Sequence, residues 1–159
     1  MANLAPQEVQ ESATEVHKIP LPPVNLDIWE LNVAGAGGGS PYIIKQDEAM
    51  TLSLKTRFSG GSLVDLLMCV GVEISVDFAI EGFGTATEIN LTAPPVKTEH
   101  GRYDYMPMLN LASPAAAGLV PGVYKAAAIV TVKPCTPCSD LGPVAFGYIT
   151  DVVFQVYDH

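Results

Sequence analysis

Two cysteines three positions apart, in Cys135-Thr136-Pro137-Cys138, form the one recognisable chemical motif of the chain. Their spacing lets both sulfurs converge on a point, so the pair could supply half a zinc site, act as a redox couple or close a local disulfide. Zinc takes about four ligands, and no second Cys-x-x-Cys or His-x-x-His is present; only Cys69, His17, His100 and His159 are left to complete a shell. A thioredoxin-type pair needs a helix N-terminus to lower the thiol pKa, whereas this one sits in a Pro-flanked hairpin loop between two strands. The expectation is a plain loop, reduced or locally bridged, with no cofactor and with Cys135 and Cys138 as weak metal candidates. Cys69, amid Leu66, Leu67, Met68 and Val70, reads as a small buried hydrophobe.

Other reactive patterns fall away on inspection. The run Gly35 to Ser40 lacks the Gly-Lys-Ser/Thr ending of a phosphate loop and is followed by Pro41 and Tyr42, with no helix to carry a dinucleotide, so it reads as a flexible loop. Asp47-Glu48 and the scattered Glu99, Asp104, Asp140 and Asp151 do not make an Asp-x-Asp-x-Asp-Gly calcium loop and read as solvated acids. No histidine stands near a serine or cysteine in a triad pattern, and Ser-x-x-Lys and Gly-x-Ser-x-Gly are both missing. The chain is not expected to be an enzyme.

The elements that must position any site come from 159 residues, a length suited to one domain with ordinary extensions. Apolar residues make up 48% and charged residues 16%, a globular composition poor in surface charge. The formal charge of −9 opposes binding to nucleic acid, whose affinity comes from Lys and Arg neutralising phosphates, and disfavours anionic membranes. The longest apolar run, Leu66 to Val72, falls far short of the roughly 20 residues that span a bilayer. Met1 to Ile19 lacks the basic and apolar regions of a signal peptide. Three cysteines are an odd count, so a cytoplasmic, reducing setting is expected.

Residues 1–25 read as a flexible or extended tail, in which Gln7 to Val16 could make a short helix punctuated by Pro6, Pro20, Pro22 and Pro23. Strand patterning then fills 26–159. The clearest period is in Met50 to Phe58 and in Val72 to Glu81, where Leu52, Leu54 and Phe58, and Ile74, Val76, Phe78 and Ile80, alternate with polar residues. Leu63 to Cys69 is a helical turn or a short buried strand, which periodicity leaves open. Further strands are expected at Leu26–Val33, Thr87–Thr92, Arg102–Leu111, Val123–Val132 and Val144–Tyr157, with Tyr42–Lys45 as an eighth if it pairs. Gly and Pro turns separate them and no long amphipathic helix intervenes, which predicts an all-β antiparallel sandwich of seven to eight strands.

The stretch Pro121-Gly122-Val123-Tyr124-x-Ala126-x-Ala128-x-Val130-x-Val132 resembles the penultimate strand of bacterial immunoglobulin-like and fibronectin-like modules. The resemblance covers about a tenth of the chain and implies a fold only. It places the Tyr124 ring in the core with its hydroxyl bonded to the corner before it. The inter-sheet cysteines and the core tryptophan of antibody domains are missing, since Ala126 stands where a cysteine would and Trp29 is in the first strand.

The last strands are apolar on both parities. Phe146, Tyr148, Val152, Phe154 and Val156 stand against Ile149, Val153 and Tyr157; Val123 and Ile129 oppose Tyr124 and Val130; Met106 and Met108 oppose Tyr103, Tyr105 and Leu109. If these strands share one sheet, its outer face is too apolar for water and is covered by another subunit, a protein partner, the N-terminal tail or the 112–122 loop. The expected function is a non-enzymatic interaction or assembly module, self-associating or binding a protein partner through Ile149, Val153, Tyr157, Val123, Ile129, Met106 and Met108, with no nucleic acid and no membrane insertion. One alternative is a barrel that binds a small apolar ligand in a cavity lined by Phe146, Phe154, Tyr103 and Met108. A second is a metal or redox protein built on Cys135 and Cys138.

Overall fold

The computed structural model describes residues 24–84, 86–135, 138 and 140–159. Among these residues are ten strands, one α-helix and a 3-10 turn at Ala115–Ala117: β1 (Asn25–Gly35), β2 (Ile43–Lys45), β3 (Met50–Ser59), α1 (Ser62–Val70), β4 (Val72–Gly82), β5 (Ile89–Thr92), β6 (Val96–Lys97), β7 (Asp104–Tyr105), β8 (Met108–Leu111), β9 (Gly122–Pro134) and β10 (Ala145–Tyr157). They form a sandwich. One sheet is four-stranded, with β1 on one edge of β3 and both β7 and β8 on the other. The second is six-stranded in the order β2-β10-β9-β4-β5, with β6 also on β4. All pairings are antiparallel except that of β2 with β10.

Alternation puts one face of each long strand between the sheets. In β4 the side chains of Ile74, Val76, Phe78 and Ile80 are buried, and in β3 those of Met50, Leu52, Leu54 and Phe58. From β9 come Tyr124, Ala126, Ala128, Val130 and Val132, whose small residues let the second sheet lie close to the first. The Tyr124 hydroxyl donates to the Val120 carbonyl at 2.6 Å, as the resemblance implies.

Two expectations are corrected, a strand is added and one open choice is resolved. Arg102–Leu111 is not one strand, because it breaks at Met106 and Pro107 into β7 and β8, and Pro107 has no N–H to give a ladder. The short β6 adds a strand that two residues cannot announce by period. Leu63 to Cys69 is helical, delimited by Gly61 and Gly71 at φ 95° and 93°, and α1 buries Val64 and Met68 four residues apart. Cys69, one position further round, is therefore exposed rather than buried.

Two β-bulges shape the edges. In β10, Ile149 pairs with Ala128 and Val152 with Ala126, so Thr150 and Asp151 oppose the single Ala127, and Asp151 takes φ 82°. In β1, Trp29 pairs with Lys55 and Asn32 with Ser53, so Glu30 and Leu31 oppose the single Leu54, and Glu30 takes φ 50°. A bulge adds one residue and so reverses which parity faces the core. For that reason Phe146 and Tyr148 point outward, not inward with Phe154 and Val156. Residues 1–23 lie outside those described, so the tail assignment of 1–25 is visible only from Val24, and Asn25 already belongs to β1.

Candidate functional site

Directly paired residues of neighbouring strands share a face, so the outer surface of the six-stranded sheet can be read row by row. Phe146 lies beside Thr131, Tyr148 beside Ile129, Val153 beside Lys125, and Gln155 beside Val123 and Ile43. Phe146 and Tyr148 are 78% and 75% exposed, Val153 51% and Ile129 48%; Val123, Ile43 and Tyr157 are also exposed. A largely apolar band thus runs along β9 and β10, with Thr131 and Gln155 as polar members. Among the described residues nothing covers it. The 112–122 segment is engaged elsewhere, with Leu119 sunk in the core and the Ala115 N–H bonded to the Gln46 carbonyl at 3.1 Å.

One ion pair interrupts the band. Lys125 Nζ lies 2.9 Å from Asp151 Oδ1, and both side chains keep solvent access. Hydrogen bonding to Asp151 raises the Lys125 pKa above its ordinary value, and the bond from Lys125 lowers that of Asp151, with the Thr150 hydroxyl adding to the second effect. The bulge places this carboxylate here: it stands on a residue in the left-handed region, which Asp tolerates better than most side chains. Beyond the band the surface turns acidic, with Glu73, Asp77 and Glu81 alternating along β4.

The interface residues expected from the sequence are not all brought together. Val123, Ile129, Val153 and Tyr157 share the outer face of the second sheet. Ile149 does not, because the bulge turns it inward beside Ala128, where it is half-buried against the core. Met108 belongs to the first sheet, since β8 pairs with β3 and sets it opposite Ser53, and Met106 lies in the break between β7 and β8. Phe146 and Tyr148 take their place, and the sequence signal for them was present, misread only in its parity.

The residues proposed to line an internal cavity are likewise dispersed. Phe154 is buried and stacks on Tyr124 with centroids 5.5 Å apart, whereas Phe146 stands in solvent and Met108 is in the opposite sheet. Cys135 is half-buried and Cys138 exposed, with the Cys138 N–H donating to the Cys135 carbonyl at 2.9 Å. Among the described residues, no group of three or more His, Cys, Asp or Glu side chains converges to hold a metal, and no helix is long and apolar enough to cross a membrane.

The first sheet has a surface feature of its own. A shallow cleft of about 310 Å³ lies among Trp29, Lys55, Arg57, Arg102, Asp104 and Met106. The Arg57 guanidinium sits 5.5 Å from the Trp29 ring centroid and bonds Asp104 at 2.6 Å, which raises the arginine pKa further. Lys55 pairs with Glu30 at 2.5 Å and Arg102 with Glu99 at 3.9 Å. Each cation here faces a carboxylate, so the cleft has no net attraction for anions.

No family model and no curated protein matches the sequence. Some solved structures are similar to this chain over most of its length. The C-terminal domain of wzt is 12% identical with a TM-score of 0.53, over 87% of this chain and 80% of that one. A CARDB domain from Pyrococcus furiosus, in complex with di-metal ions, is 15% identical with a TM-score of 0.41, over 89% and 94%. The Pseudomonas fluorescens alkylpurine DNA glycosylase AlkC, bound to DNA containing an abasic site analog, is 13% identical with a TM-score of 0.44, over 82% of this chain and 30% of its own. The chain thus spans less than a third of the glycosylase. At 12% identity the likeness to the wzt domain concerns architecture alone.

Proposed function

We propose that this chain is a non-enzymatic, immunoglobulin-like protein-interaction module whose contact surface is the β9–β10 outer face. The observation that supports this reading is the adjacency of Phe146, Tyr148 and Ile129, three large apolar side chains standing in solvent on neighbouring positions of one sheet. Single exposed apolar residues are ordinary on any protein. A contiguous band is not, because each Å² of apolar surface left in water forgoes about 25 cal/mol of burial energy, only part of which docking recovers. The aromatic pair supplies anchors of the type that dominate binding energy, and the acidic residues of β4 form a polar rim that disfavours polyanions.

Photo-crosslinking tests the reading. With p-benzoylphenylalanine at Tyr148, the full chain in its native cells is expected to give a discrete protein adduct whose crosslinked peptide maps by mass spectrometry. The same group at Asn110, on the other sheet, is expected to give none. Failure of Tyr148 to crosslink to any protein, itself included, overturns the proposal.

A further inference from the structure

We infer that Cys135 and Cys138 form a reactive dithiol, apart from the β9–β10 contact face, that closes to a reversible disulfide by exchange with a small-molecule disulfide. The Cys138 N–H donates to the Cys135 carbonyl at 2.9 Å. A bond of that span holds the first and last Cα atoms within about 7 Å, and disulfides join Cα atoms about 4.4–6.8 Å apart. The backbone therefore already stands at bridging range. Both ends of the turn are anchored. The Cys135 N–H bonds the Gly71 carbonyl at 3.4 Å, and the Leu141 N–H bonds the Cys138 carbonyl at 3.1 Å. The Cys135 sulfur lies over Gly71, 3.9 Å from where a Cβ would stand on that residue, which ends α1 at φ 93°.

The two sulfurs differ in access. Cys138 is exposed and Cys135 half-buried, so an incoming disulfide meets Cys138 first. The Cys138 thiolate attacks one sulfur of that disulfide, which forms a mixed disulfide and releases one small thiolate. The Cys135 thiolate, held in the same turn, then attacks the Cys138 sulfur and releases the second. Two protein thiols are oxidised, one disulfide is reduced to two thiols, and the two cysteine protons pass to the departing thiolates. The closed loop spans only the four residues from Cys135 to Cys138, so it restricts the unfolded chain little. Its outer sulfur also stays open to attack, which makes the bridge exchangeable rather than structural. Cys69 is the rival partner. It is exposed two residues before Gly71, at the same corner of the molecule, but on a helix and outside the turn.

Intact-mass measurement and peptide mapping of the folded full chain, incubated with glutathione disulfide as the probe, test this. Trypsin leaves Cys135 and Cys138 together on one peptide, Ala126 to His159, because Pro134 follows Lys133, and puts Cys69 on another. The unaltered protein is expected to lose two hydrogen masses on the first peptide, to keep its circular dichroism spectrum, and to reopen with excess reduced glutathione. Cys135→Ser is expected to stop at a glutathione adduct on Cys138. Cys138→Ser is expected to slow reaction at the remaining thiol of the pair by roughly tenfold or more, since the covered sulfur must then attack first. Cys69→Ser is expected to leave both the rate and the product at the pair unchanged. A bridge that includes Cys69 overturns the inference, as does a Cys138 adduct in the unaltered chain that never closes, closure that requires denaturant, or a bridge that excess reduced glutathione leaves intact.

Discussion

Tyr124, near the start of β9, and Phe154, near the end of β10, stack with ring centroids 5.5 Å apart and planes 22° apart. The register brings them directly opposite one another on the core side. The same tyrosine bonds the Val120 carbonyl, so a single side chain ties the two longest strands to the corner that precedes them.

Tyr124→Phe should keep the stack and lose the hydrogen bond, at a cost of about 1–2 kcal/mol in urea denaturation. Tyr124→Ala should cost about 3–5 kcal/mol, because it opens a cavity against Phe154. Burial raises the Tyr124 pKa. The folded state therefore holds this proton more tightly than the unfolded chain, so stability is retained below about pH 10 and declines as pH rises above it. Tyr124→Phe should flatten that alkaline limb.

The ion pair on the outer face has the opposite signature in acid. Asp151 has its pKa lowered on folding, so the stability it contributes is present above the ordinary carboxylate range near 4 and is lost as pH falls through the lower folded value. Lys125, with a raised pKa, keeps its contribution until pH climbs past the ordinary lysine range near 10. Asp151→Asn should reduce the acid slope of thermal melting while leaving the slope near neutrality unchanged.

Glutamate substitutions separate the two faces of β10. Tyr148→Glu and Val153→Glu should leave the melting temperature within a few degrees of the unaltered protein. Ile149→Glu should instead lower stability by about 2–4 kcal/mol, because it turns a carboxylate toward the core. Equal behaviour of Ile149→Glu and Val153→Glu in calorimetry would contradict the bulge.

Glycines offer a test of close packing. A Cβ at Gly82 would stand 2.6 Å from the Ala86 carbonyl carbon and 2.7 Å from its oxygen, and backbone cannot step aside. Gly82→Ala should cost about 1–3 kcal/mol. At Gly147 the obstacle is only the tip of the Ile28 side chain, 2.6 Å away. Gly147→Ala should cost less, since that methyl can rotate.

The alternation of β3 and β4 and the fate of Tyr124 were legible in the sequence because each depends on neighbours along the chain. The outward turn of Phe146 and Tyr148 was not. Thr150 and Asp151 have no glycine or proline to mark a bulge, and one added residue inverts every side chain before it. Sheet membership was equally hidden: nothing within Met108 to Leu111 says that it pairs with β3 rather than β9. The helix was half-visible, in that Gly60, Gly61 and Gly71 frame it while its apolar run suits a strand equally well. The cleft around Trp29 and Arg57 joins two strands whose register only the folded chain reveals.

Both bulges occur on strands with an open side. β1 is the margin of its sheet, and the first half of β10 extends beyond the reach of β2, which pairs only with Gln155 to Tyr157. Each carries an acidic residue in the left-handed conformation, Glu30 and Asp151, held by a lysine of the adjacent strand. A kinked, charged margin is a poor template for another strand. The molecule can therefore expose an oily face while these two margins, at least, resist zipping onto the strands of a neighbour.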